Sequence, residues 1–68
     1  MAYSYDKLRG RIVEVFGSQG KFAEFLDVSE TTVSKKMTGK VQFDQEDIAV
    51  WCDALNIPIE EAGRYFFA

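Results

Sequence analysis

Residues 19–39, QGKFAEFLDVSETTVSKKMTG, decide the fold. They read as two short helices joined by a tight turn. Phe22, Ala23 and Leu26 form the apolar set of the first helix, and Asp27-Val28-Ser29 makes the turn. In the second helix Val33 and Met37 share one face. Glu30, Thr31, Ser34 and Lys35 lie mostly on the other. The small side chain of Ala23 permits a close approach of the two helices, while Val28 is expected to plug the turn and Val33 to anchor the second helix. This is the spacing of a helix-turn-helix, a motif whose second helix reads the major groove in DNA-binding proteins.

Outward from this motif the chain continues as helices. Leu8, Ile12, Val15 and Phe16 repeat as a buried stripe, which predicts a helix from about Tyr5 to Phe16. Ser4 or Asp6 is its expected cap and Gly17 its stop. Ser18 and Ser29 precede the two helices of the motif as N-caps, and Gly39 closes the second. Val41-Gln42-Phe43 reads as extended. Asp44 caps a fourth helix whose inner face is Ile48, Trp51, Cys52 and Leu55, with Asn56 at its end. Pro58 opens a last short helix over 59–66. Five helices, short joints and no strand signal predict an all-α bundle with 1–68 as one domain.

A chain of 68 residues buries only about 60% of its unfolded surface. The hydrophobic fraction of 47% nevertheless argues for a folded core. With one cysteine and no histidine, an internal disulfide is impossible and no metal-ligand cluster is expected. The N-terminal MAYSYDKLRG lacks the apolar run of a signal peptide, and no stretch approaches the roughly 20 apolar residues of a membrane span. A cytoplasmic protein with a reduced thiol and no membrane partner is expected.

The net charge of −3 is unevenly distributed. Residues 1–40 carry seven basic and five acidic side chains, a balance of +2. Residues 41–68 carry Arg64 against six acidic residues, a balance of −5. Such polarity allows one end to face phosphate while the other points away.

Nearly the whole chain, from about Leu8 to Phe66, resembles the Cro/repressor-like (XRE-type) helix-turn-helix family of phage and bacterial regulators. The matching residues are Gln19, Ala23, Val28-Ser29, Thr32-Val33-Ser34, Gly39-Lys40, and Ala54-Leu55-Asn56-Ile57 followed by Glu60-Glu61. Two positions depart from the family pattern. Asp27 stands where glycine is usual, and Lys36 where many members carry an apolar residue.

The resemblance implies a compact five-helix lambda-repressor-like DNA-binding domain. It also implies groove-facing positions at Gln19, Glu30, Thr31, Ser34 and Lys35. Helical geometry agrees for Thr31, Ser34 and Lys35, which point away from Val33 and Met37. Lys35 suits guanine O6 and N7, Glu30 cytosine N4, the Thr31 methyl thymine, and Gln19 adenine or a phosphate. Phosphate contacts are expected from Lys21, Lys36, Thr38 and Lys40, with the amides at the start of the second helix. Gly20 leaves room there for a phosphate to come close.

The expected function is therefore a sequence-specific transcriptional regulator without a cofactor, which represses by occupying a double-stranded DNA operator. The terminal run Tyr65-Phe66-Phe67 is the candidate dimer interface, because three consecutive aromatics cannot all face one core. A second reading is a protein-binding module, such as an antirepressor that docks on another regulator. The acidic half and the aromatic end motivate it. An enzyme is not expected, since there is no histidine, metal cluster or nucleophile paired with a base. Helix capping accounts for Glu60-Glu61.

Overall fold

The computed structural model describes residues 5–67. Five α-helices follow one another: α1 (Asp6–Phe16), α2 (Gln19–Leu26), α3 (Glu30–Met37), α4 (Gln45–Leu55) and α5 (Ala62–Phe66). A 3-10 turn, Ile59–Glu61, leads into α5. No strand occurs among the described residues. The all-α architecture is thus the one expected from sequence.

The helix boundaries follow local chemistry. Ser18 Oγ accepts from the Lys21 amide at 3.2 Å, and Ser29 Oγ accepts from the Thr32 amide at 3.1 Å. Asp44 and Asp47 form a reciprocal capping box at the start of α4. The Asp47 amide donates to Asp44 at 2.7 Å, and the Asp44 amide donates to the Asp47 carboxylate at 3.1 Å. Asp27 ends α2 with φ 60° and Asn56 ends α4 with φ 56°. Both belong to the residue types that enter the left-handed region at least cost after glycine. Tyr5 takes the N-cap position of α1 without a side-chain cap bond, and Asp6, expected as a cap, instead lies in the first turn. The alternative cap, Ser4, lies outside the described residues.

The core brings together Leu8 and Ile12 of α1, Phe22 and Ala23 of α2, and Val33 and Met37 of α3. From the second half come Trp51, Cys52, Leu55, Ile57, Ala62 and Phe66. Phe22 and Trp51 meet edge to face with ring centroids 4.7 Å apart. Phe43 contacts Trp51 at 4.8 Å and Phe66 at 5.0 Å. Each such side chain contributes about 1.5–3 kcal/mol by leaving water. Burial of Cys52 pushes its thiol above the ordinary range, consistent with a small core residue.

Two expectations about packing fail. Val28 is 42% exposed, and Val15 is on the surface rather than in the stripe with Leu8 and Ile12. The turn is closed by its backbone instead. Val28 N–H donates to Ala23 C=O at 3.0 Å, so the side chain is free to point outward. Ile48 and Leu26 are partly buried against the core.

Arg11 ties α1 to the C-terminus of α4. Its guanidinium Nε donates to Leu55 C=O at 2.8 Å, and a second nitrogen donates to Asn56 C=O at 3.2 Å. It therefore satisfies carbonyls at the C-terminus of α4, where a positive charge is also favoured by the helix dipole.

Candidate functional site

The motif α2–turn–α3 has the expected backbone, and its outer face is the surface expected to read DNA. Glu30, Thr31, Ser34, Lys35, Thr38 and Lys40 line one open depression along α3. Gln19, at the start of α2, is not among the residues lining it. The structure thus gathers most of the expected residues on one face.

Their net charge is small, with Lys35 and Lys40 against Glu30. Residues 19–37 carry three basic side chains, Lys21, Lys35 and Lys36, against Glu24, Asp27 and Glu30. The motif is therefore neutral. Lys36 is also withdrawn from the outer face, because its Nζ meets the Asp47 carboxylate on α4 at 2.6 Å, with only 15% of its side chain exposed. The Thr38 hydroxyl donates to Ser34 C=O at 3.0 Å and lies within 3.3 Å of Lys35 C=O. It closes α3 with this bond while remaining exposed at the edge of the depression.

Glu30 adds a more direct obstacle. A methyl group placed on Gly20 would come 3.3 Å from Glu30 Oε2. The carboxylate therefore lies beside Gly20 in the first turn of α2. Negative charge thus stands close to the terminus whose amides and dipole were expected to receive a phosphate.

The aromatic end divides. Phe66 is 2% exposed and belongs to the core, which removes it from any interface between subunits. Tyr65 is partly buried against that core, with Lys7 Nζ 5.2 Å from its ring centre. Phe67 alone of the three is well exposed.

A different surface, not singled out from sequence, lies between α3 and α4. Leu26, Val28, Thr32, Val33, Val50 and Trp51 surround a cleft of about 130 Å³, with Lys36, Glu46 and Asp47 on its polar side. Val28 and Val50 are 42% and 47% exposed. Asp47 is pulled two ways. Burial alone would raise its pKa, but the hydrogen bond and charge of Lys36 and the bonds with Asp44 outweigh it, holding the carboxyl below its ordinary range. The signal for this surface was present in the sequence. Val50 is an apolar residue outside the inner set Ile48, Trp51, Cys52 and Leu55.

No group of side chains suited to holding a metal occurs among the described residues. No helix among them is long and apolar enough to cross a membrane.

Over residues 1–68 the sequence matches the family model described as "Protein of unknown function (DUF739)". The chain belongs to this family. It is also similar to a solved phage protein, the modulator of repression (MOR) of the temperate bacteriophage TP901-1 from Lactococcus lactis, known from its solution structure. The two share 36% sequence identity with a TM-score of 0.88, over 98% of this chain and 90% of that one. No curated protein matches the chain.

These findings correct the family assignment made from sequence. The match is to DUF739 and to a modulator of repression, not to the Cro/repressor-like family. With it falls the expected function of a Cro-like, DNA-binding repressor acting on an operator. The helix-turn-helix backbone is common to both readings, so it could not decide between them. The correction rests on these matches, and the near-neutral motif with the Glu30 carboxylate beside Gly20 accords with it.

Proposed function

We propose that this DUF739 protein modulates transcriptional repression by docking on a repressor protein, as an antirepressor-type binding module. The observation that carries this reading is the likeness to a phage modulator of repression over nearly the full length of both chains. At 36% identity and a TM-score of 0.88 it extends well beyond the helix-turn-helix. The charge distribution supports it. A motif without net positive charge, followed by a half with a balance of −5, suits a basic protein surface better than a phosphate backbone. We place its action in the cytoplasm, with the repressor it modulates.

The test is an operator-binding assay with three components: the repressor encoded in the same genome, its operator DNA, and this chain. The chain is expected to change the repressor's operator occupancy in proportion to its concentration, without shifting the operator when the repressor is omitted. Operator occupancy unchanged at a large molar excess of folded chain would refute the reading.

A further inference from the structure

We propose that the α3–α4 cleft is the docking site for a basic amphipathic segment of the partner protein, which inserts one aliphatic side chain between Val28 and Val50. This rests on the protein-docking function proposed above and assigns it a surface and a partner chemistry.

The cleft has the build of an anchor pocket. Its volume of about 130 Å³ accommodates one branched aliphatic side chain. Its walls include the buried Val33 and Trp51, which belong to the core and hold their positions. Val28 and Val50 are half-exposed lips whose apolar surface the core does not use. An aliphatic side chain between them would remove both from water, and such central, desolvated contacts dominate binding energy in protein interfaces.

The rim specifies what flanks the anchor. Lys36 is the cation lining the cleft, and its charge is cancelled by Asp47 at 2.6 Å. Glu46 lines the same cleft and takes part in neither ion pair found among the described residues. Asp44 precedes it, its carboxylate accepting a neutral amide at the cap. The rim therefore carries uncompensated negative charge. Residues 41–68 reinforce it, with Arg64 their sole basic residue. Lysine or arginine beside the aliphatic anchor complements this field and steers the encounter. Pairing of two copies cleft to cleft is disfavoured, because the two acidic rims would meet.

The experiment titrates the repressor encoded in the same genome into the full chain and its variants, with calorimetric affinity as the readout. Val50→Lys replaces an exposed lip with a bulky charge, and Glu46→Lys reverses the rim. Ile59→Ser, at a residue 65% exposed and absent from the cleft lining, serves as control. Circular dichroism and thermal unfolding verify that each variant is folded.

Val50→Lys is expected to weaken binding by about tenfold or more. Glu46→Lys is expected to weaken it by about threefold or more and to flatten its salt dependence. Ile59→Ser should bind as the parent does. If the parent binds but both cleft variants stay within about twofold of it, the surface is wrong while the docking function stands. The surface is equally wrong if Phe25→Ser, at an aromatic of α2 that is 64% exposed and outside the cleft, abolishes binding and the cleft variants do not. If the folded parent fails to bind the repressor at all, the docking function falls, and this inference with it.

Discussion

Replacing Asp47 by asparagine removes one charge from the joint between α3 and α4 while nearly preserving its shape. In the native protein this carboxylate accepts from Lys36 Nζ at 2.6 Å and from the Asp44 amide at 3.1 Å. The Lys36 and Asp47 side chains are 15% and 24% exposed, so water screens the pair less than it would a surface pair. Losing a charge-assisted hydrogen bond of this kind costs about 1.5 kcal/mol. A weaker acceptor in the capping box adds about 0.5 kcal/mol. The expected loss at pH 7 is therefore about 2 kcal/mol, a large part of the roughly 3–10 kcal/mol available to a domain of this size.

Urea unfolding followed by fluorescence of Trp51, the single tryptophan, measures the loss directly. A double-mutant cycle with Lys36→Met should return a coupling of about 1 kcal/mol, separating the ion pair from the cap. The pH dependence has a defined sign. The folded carboxyl titrates below its ordinary value of 3.8, so below that value the unfolded chain binds more protons than the folded one. The contribution is complete above the unfolded value and is lost as pH falls through the folded one. The difference between parent and Asp47→Asn should accordingly shrink through that window. A loss under about 0.3 kcal/mol at pH 7 would refute the reasoning, as would a penalty undiminished in strong acid.

Three further outcomes are expected. Arg11→Met should destabilise by about 1–2 kcal/mol in the same assay, because the carbonyls of Leu55 and Asn56 lose their donors; Arg11→Lys should rescue it only in part, since an ammonium cannot reproduce the planar fork. Asp27→Gly should stabilise by about 0.5 kcal/mol, because φ at this position is 60° and glycine adopts it without a Cβ penalty; a lower urea midpoint would contradict that account. Cys52 should react with a thiol reagent only on unfolding, since it is buried and its thiol pKa is raised; rapid labelling in native buffer would contradict its burial.

What was legible in the sequence was mostly local. Ser18, Ser29 and Asp44 cap the helices they precede, and Asp27 and Asn56 end helices in left-handed conformations. These features depend on a few neighbouring residues, so a single sequence reveals them. Contacts set by how helices cross were not legible. Lys36 finds Asp47 only because α3 lies against α4, and Arg11 reaches Leu55 across 44 residues. The division of the aromatic end, with Phe66 inside and Phe67 outside, likewise follows from where α5 docks.

The functional misreading had a different origin. A helix-turn-helix is a way of packing two helices, and the same backbone serves protein-binding and DNA-reading surfaces. The matches to DUF739 and to a modulator of repression decided between them, and the charges of the motif accord with that outcome. Glu24, Asp27 and Glu30 cancel the three lysines of the motif, a balance readable from sequence. That Glu30 lies beside Gly20 required the structure.

The proposed action is on a repressor and not on the operator. Its most direct measurement is a paired calorimetric titration of the folded chain, once with the repressor encoded in the same genome and once with that repressor's operator DNA. The account predicts a saturable complex with the repressor and no heat of binding with DNA at moderate salt. Saturable operator binding that falls steeply with salt, with no complex formed with the repressor, would contradict it.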